Sequence, residues 1–135
     1  MINFYEFYNK PGLDKEEYSP LLDTLLCGEY TKELEPIKHI IKIMPEHAYQ
    51  YAYKIIGARF IEAEPYIMKD PFYGLMYAQY VIRGRWIEAE PVIIKNTWHA
   101  WMYALYILKS RWIEAEQYIK LHDYWWGKYC RYFKL

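Results

Sequence analysis

The chain reads as an all-α protein, a short α-solenoid of 26-residue helix-turn-helix repeats with an N-terminal cap, on three observations. The segment Ile-Glu-Ala-Glu returns at 61–64, 87–90 and 113–116, each time behind an Arg and an aromatic: Arg59 and Phe60, Arg85 and Trp86, Arg111 and Trp112. A second cluster, Met76, Tyr77, Ala78 and Tyr80, matches Met102, Tyr103, Ala104 and Tyr106 at the same period, and Tyr129, Cys130 and Tyr132 continue it. Between these marks, apolar residues recur at steps of three and four, the spacing of one helix face.

Taken in order, residues 1–27 fall outside the repeat. Pro11 and Gly12 break them, and Phe4, Tyr5, Phe7 and Tyr8 are suited to a cap laid over the first helices. Residues 28–58 form a degenerate copy: Glu33, Glu35 and Pro36 match Glu62, Glu64 and Pro65, and Tyr51, Ala52, Ile55 and Ile56 match the second cluster one period early. Residues 59–84, 85–110 and 111–135 are the clear copies, all within a single domain of 1–135. In each, a first helix opens on an N-cap followed by a tolerated N1 residue. Asp70 with Pro71 is the pattern; Asn96 with Thr97, or Asp123, fills the equivalent place. Gly84 is the expected stop. The second helix starts near Trp86, with Pro91 acceptable in the first turn because its amide would have no acceptor there. Ile93 and Ile94 are expected to point inward. Each unit is too short to bury its own apolar face, so neighbours must stack.

Composition narrows the function classes. Lys and Arg balance Asp and Glu, 17 against 17, so no global field draws the chain to nucleic acid or an anionic membrane. Cys27 and Cys130 are isolated thiols without metal or redox spacing, which favours a reducing, cytoplasmic location (the host cytoplasm for a viral protein). The first residues lack the pattern of a secretory leader, and no apolar run is long enough to span a bilayer. Aromatics make up 21% of the chain, with 17 Tyr and 6 Trp, residue types that serve either a helix-packed core or a half-wet binding surface.

No candidate for chemistry survives the helical geometry. Residues two apart on a helix diverge, so Glu88 and Glu90 cannot form a paired acid site, whereas Arg85 and Glu88 at three apart can pair. His39, His47, His99 and His122 lack ligand spacing, and His99 and His122 read as ordinary, partly exposed side chains. Cys130 takes the small-residue slot of Ala78 and Ala104, a packing position. The glycines are scattered rather than gathered into a phosphate loop. Neither an enzyme nor a cofactor or metal is expected.

Residues that differ between copies at one helical position are the freest to be functional. Along the first helix a stripe reads Glu46, Tyr49, Tyr53; then Phe72, Leu75, Gln79, Arg83; then Trp98, Trp101, Leu105, Lys109; then Tyr124, Gly127, Arg131. Tyr49, Tyr53, Leu75, Gln79, Arg83, Trp98, Trp101, Leu105, Lys109 and Arg131 are the candidate binding residues, given the weight of Trp, Tyr and Arg in binding hot spots. Positions 72, 98 and 124 are aromatic in every clear copy and are therefore expected to be buried. At the C-terminal end Trp125, Trp126, Tyr129 and Phe133 leave apolar surface. Either they pack back onto Trp112 and Tyr118, or a second copy covers them in a two-fold homodimer.

The pattern carried by Arg59 to Pro65, Asp70 with Pro71, Tyr77 to Tyr80, and Arg85 to Pro91 resembles a helical repeat of small phage and giant-virus proteins of unassigned function. It departs at Asn96 with Thr97 in place of Asp-Pro, at Gln117 in place of Pro, and at Ile61, Ile87 and Ile113, where Pro is frequent in the relatives. The resemblance implies a viral or mobile-element origin and no functional residues. Together these readings lead to a non-enzymatic module that binds a host or viral protein and inhibits it by steric occlusion. The alternative is a protein that sequesters a nucleotide-type signal between rings and basic side chains. Nucleic acid ranks below both, since only Lys128, Arg131 and Lys134 form a local basic run.

Overall fold

The structure, a computed structural model, describes residues 38–135. The expected cap over 1–27, Cys27, and the start of the degenerate copy, with Glu33, Glu35 and Pro36, lie outside the described residues. Every regular element among the described residues is helical. Two units divide between Ile67 and Met68.

In the first unit, α1 is Lys38–Ile41, α2 is Pro45–Gln50 continued by a π-helical turn Tyr51–Ile56, and α3 is a 3-10 turn Ile61–Ala63 running into Glu64–Ile67. Pro45 opens α2 with its φ already set for a helix. Gly57 closes it in the left-handed conformation, φ 68°, which costs glycine nothing. Ile41, Ala48, Ala52, Ala63 and Ile67 are fully buried, and Tyr51 tilts onto Phe60 with ring centroids 5.2 Å apart.

The second unit holds α4 (Pro71–Tyr77, continued by the π-helical turn Ala78–Ile82), α5 (the 3-10 turn Ile87–Ala89, then Glu90–Ile93), α6 (Thr97–Tyr103, continued by the π-helical turn Ala104–Leu108), α7 (Ile113–Ile119) and α8 (Asp123–Phe133). The expected caps form at α4 and α6. The Asp70 carboxylate accepts from the amides of Phe72 and Tyr73 at 2.9 and 3.0 Å, and the Asn96 side chain accepts from His99 N–H at 3.0 Å. At α8 the cap position belongs to His122, which makes no side-chain cap bond, and Asp123 is the first helical residue. Asp123 therefore acts on the helix dipole rather than on the orphan amides. Helix α6 packs on α4 and α8, its counterparts in the neighbouring copies, and on α5 and α7. A helix-turn-helix unit thus buries its apolar face against its neighbours, as the repeat requires.

Helix ends depart from the sequence expectation by one residue. Arg83 rather than Gly84 takes the left-handed conformation, and Lys109 and Lys134 do the same, with φ between 53° and 59°. The Ala78 carbonyl accepts from both Arg83 and Gly84, so the turn closes before the glycine. In α8, which has no π-helical turn, the left-handed residue is Lys134, 25 residues after Lys109, where Gly57, Arg83 and Lys109 are 26 apart (83 − 57 and 109 − 83). The wider turn takes up one extra residue.

The repeated Arg, Glu and Tyr hydroxyls tie each copy together internally, and the aromatic rings Tyr77 on Trp86 and Tyr103 on Trp112 join one copy to the next. Glu64, Glu90 and Glu116 are buried, and each is held by the Arg five residues earlier. Arg59 grips Glu64 through two parallel bonds of 2.6 and 2.8 Å, and Arg111 grips Glu116 at 2.8 and 3.1 Å. The pairing expected between Arg85 and Glu88 does not occur; Arg85 binds Glu90 at 2.8 Å and Glu88 is exposed. The reason lies in Trp86, at φ −121° and ψ 85°: Arg85 precedes the helix on non-helical backbone, so helical spacing does not govern its reach. Ala63, Ala89 and Ala115, between the two glutamates, are fully buried.

Tyrosine completes the joint. Tyr103 is buried; its ring lies 4.8 Å from that of Trp112 ahead of it, while its hydroxyl accepts from the Trp86 amide behind it at 2.8 Å. Tyr129 accepts from Trp112 N–H at 2.8 Å and donates to Glu116 at 3.0 Å. Burial pushes the Tyr103 phenol well above its ordinary range and the Tyr129 phenol up to about 12, with neighbouring Glu90 and Glu116 acting in the same direction.

Candidate binding surfaces

The stripe proposed from sequence is not one surface, because the structure divides it along the helix axis. Its middle is core: Leu75 and Trp101 are 2% and 5% exposed. Trp101 faces α8, its ring 5.8 Å from Tyr129 and Tyr132 and 6.2 Å from Phe133. Trp101 thus buries against the next first helix, and Leu75 is enclosed within the second unit. A partner cannot reach either without opening that unit.

The N-terminal end of the stripe behaves oppositely to expectation. Phe72, Trp98 and Tyr124, expected to be buried because every clear copy has an aromatic there, are 40%, 36% and 55% exposed. They occupy equivalent places in the first turns of α4, α6 and α8. His99 lies beside them, its ring 5.2 Å from Trp98 and 6.4 Å from Phe72, and the Lys128 ammonium sits 5.5 Å over Tyr124. Burial lowers the His99 pKa, with nearby Asp70 opposing, so the imidazole is neutral at pH 7. Its Nδ1 is buried without a hydrogen-bond partner among the described residues.

The C-terminal end of the stripe opens onto a cleft of about 230 Å³ lined by Gln79, Arg83, Gly84, Tyr106, Ile107 and Lys109. Three of these, Gln79, Arg83 and Lys109, are predicted binding residues brought together from adjacent copies. Gly84, Tyr106 and Ile107 were missed, since Tyr106 belongs to a shared cluster and was assigned to architecture. Leu105 is half-buried, while Arg131 is exposed and donates to the Gly127 carbonyl at 3.4 Å. In the first unit Tyr49 is buried and Tyr53 is exposed, their rings stacked 6.0 Å apart.

Of the residues offered as an oligomer interface, Tyr129 is inside the fold and unavailable to a second copy. Phe133 packs 4.8 Å from it, and Trp126 stacks on it at 5.4 Å beneath the Lys120 ammonium. Trp125 is half-buried between His122 and Tyr124. This end packs backward onto its own copy and the one before it.

Among the described residues no three His, Cys, Asp or Glu side chains gather as a metal site would need, and no helix is long and apolar enough to cross a membrane. Cys130 is half-buried in its small-residue slot. Comparison of the chain with protein-family models, curated proteins and solved structures finds no match.

Proposed function

We propose that the protein is a non-enzymatic protein-binding module that docks through the aromatic row Phe72, Trp98 and Tyr124. One observation carries the reading. An aromatic stands at this position in each of three copies, yet the three are 36% to 55% exposed; the other exposed shared row, Tyr80, Tyr106 and Tyr132, differs in that Tyr132 rests on Trp101 of the preceding copy and Tyr80 is partnered. Exposed Trp and Tyr in register supply large rigid contact area at low entropic cost. The zero net charge favours a protein surface over a polyphosphate backbone. Action by occlusion of a host or viral protein is the simplest mode for such a row, in keeping with the viral resemblance of the repeat.

Sequestration of a nucleotide-type signal is less well supported, because the two clefts, about 290 Å³ beside Lys38, Lys42 and Phe60 and about 230 Å³ beside Arg83 and Lys109, reach only the bottom of the roughly 300–1,000 Å³ of typical small-molecule sites. The test is affinity capture from host lysate with the wild-type chain and with Trp98→Ala. A reproducible partner should be retained by the first and bound about 30-fold more weakly by the second, the loss of about 2 kcal/mol expected at a hot spot. Equal retention by a folded variant would exclude the row as the docking surface.

A further inference from the structure

The polar side chains of the cleft between the ends of α4 and α6 are unused. Gln79, Arg83, Tyr106 and Lys109 all line it, and none has a hydrogen-bond or ion-pair partner among the described residues. Their neighbours show that this is not general. Arg85 and Arg111, two residues after Arg83 and Lys109, are each committed to a buried glutamate. Arg83 and Lys109 are thus uncommitted cations at equivalent places in adjacent copies, and both line the same cleft. The degenerate copy has Gly57 at the equivalent position.

The backbone conformation belongs to the helix end rather than to the cleft, since Lys134, outside the cleft, shares it. Arg83 and Lys109 hold φ of 59° and 53°, which glycine adopts freely and other residues only at a cost. A basic residue near a helix C-terminus does favour the exposed carbonyls.

We propose that this cleft is an oxyanion site, taking a single carboxylate or phosphate group between Arg83 and Lys109, with the Tyr106 hydroxyl and Gln79 amide as further donors. The cleft's volume suits such a group better than a whole nucleotide. Guanidinium and ammonium bonds to an oxyanion are charge-assisted, and the exposure of Arg83 and Lys109 keeps the affinity weak. The site is separate from the aromatic row, and its test needs no protein partner, so either can fail alone.

The experiment is a two-dimensional amide NMR titration of the full chain at constant ionic strength with inorganic phosphate, then acetate, against chloride. The expected result is a saturating shift confined to residues 79–84 and 106–109, with phosphate affinity on the order of 1 mM. Acetate binding as tightly would mark a carboxylate site, and phosphate binding alone a phosphate site. Arg83→Gly and Lys109→Gly remove the charge while keeping the backbone conformation, so these variants fold, and each should weaken binding about tenfold. Shifts that never saturate, that spread over all surface lysines, or that survive Lys109→Gly would overturn the proposal.

Discussion

The Tyr103 hydroxyl ties α6 to the start of α5 within one copy, accepting from Trp86 N–H while lying beside the carboxylate that Arg85 holds. Removing that oxygen leaves a buried amide without a partner, a loss of about 1–3 kcal/mol. Tyr103→Phe should therefore lower stability by that amount in urea unfolding at pH 7. The same phenol carries a pH signature. Its folded pKa, like that of Tyr129, lies above the unfolded value of about 10, so its contribution is complete below pH 10 and is lost as pH rises. Wild type should lose about 1.4 kcal/mol per pH unit for each such tyrosine above pH 10, the Tyr129 share ending near pH 12. Tyr103→Phe should show a shallower slope; an unchanged slope would mean that Tyr103 does not ionise with unfolding. The period pointed to Tyr103, Arg85 and Glu90 as architectural residues. It could not supply their pairing, which depends on non-helical backbone before α5 that no helical spacing rule describes.

At the scale of elements, the helix pairs and two of the caps were legible because their signals are local: Asp70 before Pro71, Asn96 before Thr97, and apolar steps of three and four. Helix ends were less so. Gly84 looked like the left-handed stop, yet the π-helical turn Ala78–Ile82 brings Arg83 to that place. Sequence gives little warning of such a turn, since it changes hydrogen bonding without changing the apolar pattern. A left-handed non-glycine residue costs roughly 1–2 kcal/mol, so Lys109→Gly should raise stability by about 1 kcal/mol in the same urea assay. A loss instead would mean that the Lys109 side chain makes a contact that outweighs its backbone cost.

Across the second unit as a whole, the division between shared and unshared residues needs revision. Identity between copies marked interior positions correctly at Glu90, Tyr103 and Ala89, all buried. It failed at Phe72, Trp98 and Tyr124, where a shared aromatic is exposed, and at Leu75 and Trp101, where unshared residues are core. Periodicity shows that positions are equivalent. Whether they face a neighbour or the solvent depends on the rotation of stacked helices, which one sequence does not encode. The exposed row is the central claim, and site-specific photo-crosslinking tests it most directly. With a photoreactive phenylalanine analogue at position 98 or 124, irradiation in host lysate should give one defined adduct, while the probe at position 106, 50% exposed at the other end of α6, should give none. The same adduct from all three positions, or none from 98 and 124 while 106 reacts, would contradict the account.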